Sequence, residues 1–210
     1  MNFDDVIQKI VEELQKTLPG REHQFKMAPR MVRFPENMIP EKKAAVLICL
    51  FKGNKDLQIA LIKRTEYDGP HSGQISFPGG IYKDIDKNLE ETALRETEEE
   101  IGIDRNYARI LGALSPLHIP VSNIIVYPFV AFYEKSPSFK LDEREVSYIF
   151  ITNVKFFMKA ENLKNEKWVL HGEEIEVPFF QPDSMNKIWG ATAMILNEFI
   201  AVFDNAKIYG

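Results

Sequence analysis

The spacing of apolar residues predicts a chain in which helices and strands alternate. Near the N-terminus, apolar residues recur at helical intervals from Phe3 to Leu18, and Pro19-Gly20 ends the run. Apolar runs of strand length then follow at residues 44–51, 57–64, 75–77, 108–114, 124–132, 145–153 and 174–180. A second long helix is expected over residues 189–203. This alternation predicts an α/β sandwich around a mixed β-sheet, with an added N-terminal helix.

The region between the first helix and the first strand shows no clear period. Residues 21–40 contain several prolines, so we expect an extended arm whose basic residues Lys26, Arg30 and Arg33 could approach a phosphate. We therefore divide the chain into a helix and arm (1–40) and a main domain (41–210). The apolar stripe of the first helix must be buried against its own core or against a second subunit, so a homodimer is one expected arrangement.

A well-bounded acidic helix is predicted in the middle of the chain. Asp86 or Asn88 can cap its N-terminus, and Asn88 has Glu91 three residues later, at the spacing of a capping box. Gly102 is a plausible left-handed cap at the C-terminus. Ahead of the helix, Pro78-Gly79-Gly80 is expected to form a loop in which backbone can approach a ligand closely.

Three glutamates share one face of that helix. Glu96, Glu99 and Glu100 stand at i, i+3 and i+4, and such like charges repel one another. Mg²⁺ or Mn²⁺ would convert this repulsion into binding, because both ions prefer carboxylate oxygens. The alternative interpretation is a solvated acidic face.

The surrounding residues resemble a known motif and favour the metal interpretation. The Nudix box reads G-x5-E-x7-R-E-U-x-E-E-x-G-U, where U is a bulky apolar residue. The positions of this chain that match residue by residue are Arg95, Glu96, Glu99, Glu100, Gly102 and Ile103.

This chain departs from the Nudix box in three ways. The gap from Gly80 to Arg95 is one residue longer than in the motif, and Thr97 occupies a position that is normally apolar. Lys87 stands where the spacer glutamate is usual, so Asp86 or Glu90 would have to take over that role, unless it is absent.

The resemblance implies a Nudix-type α/β/α sandwich and metal-dependent cleavage of a pyrophosphate. It assigns the Mg²⁺ or Mn²⁺ ligands to Glu96, Glu99 and Glu100, with a backbone carbonyl from Gly79 or Gly80. Any of the three glutamates could double as general base.

The resemblance also suggests roles for residues outside the metal ligands. Some family members use a base from a distal loop, for which Glu143 or Glu145 is the candidate here, the alternative being a charged turn. Arg95 is expected to orient a helix carboxylate through a bidentate pair rather than to touch substrate.

The residues before the box resemble the signature of coenzyme A pyrophosphatases, L-L-T-x-R-[SA]-x3-R-x3-G-x3-F-P-G-G. Arg64, Gly73 and residues 77–80 match at the right spacing, while Gly69 replaces the second arginine. That branch also shares the longer spacer and a Trp-Gly-x-Thr-Ala run like residues 189–193. The resemblance implies hydrolysis of coenzyme A or its acyl derivatives to adenosine 3′,5′-bisphosphate and 4′-phosphopantetheine.

The same resemblance implies the substrate contacts. Arg64, His71 and Gly79 are the expected contacts; Arg64 could instead be an exposed charge at a strand end, and His71 a loop residue paired with backbone. An arginine suits a phosphate such as the 3′-phosphate of coenzyme A, so Gly69 keeps another nucleoside diphosphate derivative open as substrate: ADP-ribose, NADH or a dinucleotide.

Two other functions on the same fold are less consistent with the sequence. A non-catalytic nucleotide-binding regulator would usually have lost glutamates of the box, and this chain keeps all three. Isoprenoid isomerisation would need a catalytic cysteine, whereas Cys49 lies within an apolar run that predicts a buried, inert thiol.

Composition and charge narrow the remaining function classes. The chain has 210 residues, 45% of them hydrophobic and 27% charged, which is typical of one globular domain. Its net charge of −5 argues against non-specific binding to nucleic acid or to an anionic membrane. A single cysteine, an N-terminus unlike a signal peptide and the lack of an apolar run long enough to span a bilayer predict a cytoplasmic protein.

Overall fold

The computed structural model describes residues 2–29, 39–69, 71–135, 137–170 and 172–208, so Arg30 and Arg33 lie outside the described residues. The helices are α1 (Phe3–Leu14), α2 (Gly20–Phe25), α3 (Leu89–Ile101), α4 (Val154–Phe157) and α5 (Gly190–Asn205). The strands are β1 (Lys42–Lys52), β2 (Leu57–Arg64), β3 (Ile75–Ser76), β4 (Gly79–Ile81), β5 (Ala108–Ala113), β6 (Leu117–Ile119), β7 (Ile124–Tyr133), β8 (Val146–Asn153), β9 (Leu163–Leu170), β10 (Glu173–Phe180) and β11 (Ile188–Trp189).

The main sheet is mixed, as the sequence predicts. Its centre is the parallel pair β1 and β7, which runs in register from Lys42 opposite Ile124 to Phe51 opposite Tyr133. On the other edge of β7 lie β5 and β6, both antiparallel. On the other edge of β1, β4 pairs with the N-terminal half and β2 with the C-terminal half. Strands β3 and β8 both pair with β2, and β9 to β11 form a separate small sheet.

Helices cover both faces of the main sheet, so β1 is buried on both sides. Alternate residues of β1 belong to two different apolar clusters. Ala45, Leu47 and Cys49 face α3, whereas Ile48 and Leu50 join the cluster that includes α1 and α5. The predicted α/β sandwich is confirmed. Burial raises the pKa of the Cys49 thiol, in keeping with an inert side chain.

The N-terminal helix is buried within its own chain. Val6, Ile7, Ile10 and Leu14 form the stripe that enters the larger apolar cluster, where α1 packs against β5 and α5. The apolar stripe of α1 is therefore buried without a second subunit.

The expected extended arm is wrong for residues 20–25, which form α2. Gly20 N and Gln24 Nε2 donate hydrogen bonds of 3.1 and 2.8 Å to the buried carboxylate of Glu198 in α5. The residue that accepts these bonds lies almost 180 positions away in the sequence. No local pattern could therefore indicate this helix.

Other elements also escape the sequence pattern, among them the short helix α4 that follows β8. Residues 79–81 form β4 rather than a loop, and β6 lies inside a segment that we expected to be irregular. Strand β9 is mostly exposed, so it lacks the alternation by which a half-buried strand is recognised. In the described part of the chain, no helix is long and apolar enough to cross a membrane.

Candidate metal and catalytic site

Helix α3 begins and ends at the residues that the sequence indicates. Asn88 Oδ1 accepts a hydrogen bond of 2.8 Å from Glu91 N, which satisfies a free N–H of the first turn. Gly102 has φ +71°, and its N–H bonds to Glu98 O at 2.9 Å. The apolar side of α3, including Ala93 and Ile101, packs on the sheet. The glutamates are therefore carried by a helix whose ends are both defined.

The two glycines of β4 lie directly against two of these glutamates. Gly79 N donates a hydrogen bond of 2.8 Å to Glu100 Oε2. Gly79 has φ +148°, and a Cβ there would lie 2.3 Å from Ala45 O. A Cβ on Gly80 would lie 2.5 Å from Glu96 Oε2. Gly79 thus requires glycine, because a side chain would displace the backbone of β1, whereas a side chain at Gly80 would displace the carboxylate of Glu96.

Arg95 makes its bidentate pair with Asp86 and not with a helix carboxylate, so that detail of the prediction is wrong. Its Nε and Nη2 donate to the two oxygens of Asp86 at 2.6 and 2.9 Å. Its Nη1 donates to Glu96 at 2.7 Å and to Glu99 at 2.9 Å. One buried guanidinium therefore links the spacer to both glutamates.

Asp86 is one of the two residues proposed for the role of the missing spacer glutamate, and it is the bidentate partner of Arg95. Its buried carboxylate also accepts hydrogen bonds from Thr92 Oγ1 at 2.9 Å and from Lys83 N at 3.0 Å. The hydrogen bonds from Arg95 hold the pKa of Asp86 well below its usual range. Lys87, which stands at the glutamate position of the motif, is exposed.

Lys83 is part of this site, and the sequence analysis missed it. Its Nζ lies 3.3 Å from Glu96 Oε1 and 3.9 Å from Glu99 Oε2. The signal in the sequence is a lysine placed within the spacer of an acidic motif. That signal is weak, because spacer lysines such as Lys87 also point into solvent.

Glu100 is the most deeply buried of the three glutamates, with 2% of its surface exposed against 8% for Glu96. Burial raises the pKa of Glu100 to about 8, and the negative charges of Glu145 and Glu96 act in the same direction. The hydrogen bond from Gly79 N and the charge of Arg64, whose Nη1 lies 3.5 Å from Glu100 Oε1, oppose that shift.

The other predicted residues are placed around this cluster. Arg64 ends β2, and Glu145 lies in the turn before β8, where its carbonyl accepts a hydrogen bond of 3.0 Å from Thr65 N. Glu145 is exposed and close enough for its charge to act on Glu100. His71 has φ +65°, and its Nδ1 lies 3.3 Å from Gln74 Oε1 in the loop between β2 and β3.

The donor set suits a hard divalent ion, although its side chains are paired with cations of the chain itself. Within the described ranges, no three His, Cys, Asp or Glu side chains already converge as a metal site. Glu96 and Glu99 nevertheless share two cationic partners, Arg95 and Lys83. Glu100 is a buried carboxylate whose charge is incompletely compensated. Carboxylate oxygens that gather cations in this way are the ligands that Mg²⁺ and Mn²⁺ use.

A capped helix that presents three carboxylates against a glycine strand defines an α/β protein with a candidate metal site. The sequence profile described as NUDIX domain matches residues 41–194. The chain therefore belongs to the NUDIX domain family.

Individual relatives agree with this family. "Nudix hydrolase 22, chloroplastic" of Arabidopsis thaliana is 38% identical over 175 residues, which cover 79% of this chain and 58% of the relative. "Peroxisomal coenzyme A diphosphatase ndx-8" of Caenorhabditis elegans is 31% identical over 157 residues, which cover 74% of this chain and 66% of the relative. The chain thus spans less than two thirds of the length of these relatives.

A solved structure shows the same fold. The MutT/nudix family protein from Enterococcus faecalis superimposes with a TM-score of 0.52 at 19% identity, covering 94% of this chain and 73% of that protein.

Removal of the Asp86 charge should destabilise the fold. In Asp86→Asn, Arg95 would lose its bidentate partner while remaining buried, so we expect the free energy of unfolding to fall by about 3 kcal/mol. Asp84→Asn is the matched control, because Asp84 is exposed in the same loop. Urea denaturation of both variants measures the effect, and equal stability would contradict the buried pair.

The stability of the metal-free protein should fall between about pH 4.5 and pH 8. The folded state raises the pKa of Glu100 from 4.5 to about 8, so it binds more protons than the unfolded state in that window. The favourable contribution is complete below the lower value and lost as pH rises through the upper one. Thermal unfolding in EDTA should show a smaller loss in Glu100→Gln than in the wild type, and parallel profiles would refute this assignment.

Proposed function

We propose that this chain is a divalent-metal-dependent pyrophosphohydrolase. The observation that carries the proposal is the placement of Glu96, Glu99 and Glu100 on one face of α3, beside the backbone of β4. Members of the family generally use divalent metal ions, which fits these carboxylates. Glu96, Glu99 and Glu100 would hold Mg²⁺ or Mn²⁺, with the carbonyl of Gly80 as a further oxygen ligand.

A bound divalent ion would neutralise pyrophosphate oxygens and lower the pKa of a water molecule. The chain itself supplies geometry, because the buried ion pair of Arg95 with Asp86 fixes the rotamers from which Glu96 and Glu99 are presented. Arg64 places a positive charge at the edge of the cluster, where a phosphate group would be compensated.

The general base is proposed among the glutamates of the site. Glu145 is exposed, so it can reach solvent water without a cost of burial, and its charge already acts on Glu100. Glu99 is half exposed and is the second candidate. Glu143, the other acidic residue of that turn, is exposed as well.

The substrate that we propose is coenzyme A or an acyl derivative. Three features support it: the signature from Arg64 to Gly80, the contact of Arg64 with Glu100 at the cluster, and the name of the C. elegans relative. The alternative is another nucleoside diphosphate derivative, such as ADP-ribose, NADH or a dinucleotide. Gly69 favours this alternative, since a guanidinium for the 3′-phosphate is missing there.

Three further expectations remain predictions. The division of the chain at residue 40 is one. A homodimer is another; the apolar stripe of α1 is buried within its own chain, so the stripe does not itself require a second subunit. A cytoplasmic location is the third, because the names of relatives refer to chloroplast and peroxisome. Light scattering decides the oligomeric state.

Glu99→Gln should lower Mg²⁺- or Mn²⁺-dependent hydrolysis by roughly 100-fold or more, because it removes a metal ligand and a candidate base. Glu98→Gln is the matched control, since Glu98 lies on the same helix and pairs instead with Arg105. Phosphate release coupled to a phosphatase measures the rates. Turnover of Glu99→Gln like that of the wild type would refute the metal assignment.

A substrate panel should rank coenzyme A above ADP-ribose by roughly tenfold in kcat/KM, the ratio that about 1.4 kcal/mol of differential binding produces. The panel also contains acyl-coenzyme A, dephospho-coenzyme A, NADH and a dinucleotide. Equal or better use of ADP-ribose would reject the coenzyme A assignment. Binding without hydrolysis of any member would instead identify a nucleotide-binding regulator.

A further inference from the structure

We propose that Lys83 is a tethered cation that occupies the position between Glu96 and Glu99 and competes with the divalent ion for it. In this arrangement Lys83 sets the metal concentration at which the site fills. The inference rests on the proposed function, since it requires that these glutamates bind metal. It goes further because it assigns a role to a spacer residue that the motif does not specify.

The loop that carries Lys83 is hydrogen-bonded into the fold. Lys83 N donates to Asp86 Oδ2 at 3.0 Å, and Tyr82 Oη donates to Asp86 O at 3.2 Å. Tyr82 N bonds to Lys43 O of β1 at 2.9 Å. Hydrogen bonds thus hold the backbone on both sides of Lys83, and its side chain lies against the acidic face of α3.

The charges of this cluster explain why the ammonium lies there. Asp86, Glu96 and Glu99 are three carboxylates around one guanidinium, that of Arg95, which leaves two negative charges in excess. Lys83 compensates one of them at 3.3 and 3.9 Å. A divalent ion together with Arg95 would compensate these three carboxylates, while Glu100, the remaining glutamate of the proposed site, lies beside Arg64. Lys83 would then be a surplus positive charge beside a metal.

Lys83 is also the partner that can leave. The side chain of Arg95 is 6% exposed and is held by Asp86, whereas that of Lys83 is 52% exposed. A lysine that is half in solvent can rotate away at small cost, because an exposed ion pair contributes little. Exchange of one cation for another therefore involves Lys83 and leaves the buried pair intact.

The test measures Mn²⁺ binding without substrate, by the electron paramagnetic resonance signal of free Mn²⁺. Lys83→Met should lower the Kd for Mn²⁺ by roughly threefold or more, since a nearby positive charge is removed. Lys83→Arg keeps the charge and should stay near the wild type. Lys87→Met is the matched control. Lys87 is exposed in the same loop, and within the described residues it forms no ion pair with the carboxylates of the site.

Thermal unfolding gives a second readout that does not depend on turnover. In EDTA, Lys83→Met should melt slightly below the wild type, because the two glutamates lose a compensating charge that is half exposed. In saturating Mn²⁺ that deficit should shrink or reverse, since the variant binds the ion more tightly. A deficit that is the same in both conditions would show a merely structural role and overturn the inference.

The outcomes separate this inference from the proposed function. If the wild type binds Mn²⁺ and Glu99→Gln binds it more weakly, the metal site stands. An unchanged or higher Kd in Lys83→Met then overturns only the role of Lys83. If the wild type does not bind Mn²⁺ at all, the proposed function itself fails.

Discussion

The candidate site depends on one buried ion pair, that between Arg95 and Asp86. The guanidinium uses two nitrogens for Asp86 and its third for Glu96 and Glu99, so the spacer and the helix face are joined through a single side chain. A buried pair of this kind has a large desolvation cost and contributes little net stability. Its value here is geometric, because it restricts the rotamers of two carboxylates that would otherwise repel one another.

The remaining carboxylate is controlled by the sheet. Glu100 is turned inward to Gly79 N, and its burial is what raises its pKa. One face of α3 therefore presents glutamates in two environments. Glu96 and Glu99 are paired with side-chain cations, whereas burial raises the pKa of Glu100 and the N–H of Gly79 opposes that shift.

The sequence was sufficient for the features that depend on local contacts. The caps at Asn88 and Gly102 and the continuous burial of the central strand β1 follow from neighbouring residues, and the structure confirms them. The pairing of Arg95 with Asp86, the helix anchored by Glu198 and the ammonium of Lys83 depend on side chains that meet only in three dimensions. Strand β4 was missed because glycines carry no strand signal, and it forms because β1 offers it an edge.

The two glycines of β4 have a consequence for how this protein can change. Neither glycine has a side chain, so the backbone of β1 can approach Gly79 closely and a carboxylate of the site can approach Gly80 closely. We therefore expect a side chain at Gly79 to disturb the backbone of β1, and one at Gly80 to move the carboxylate of Glu96. Exposed positions of the spacer, such as Lys87, carry no such restriction.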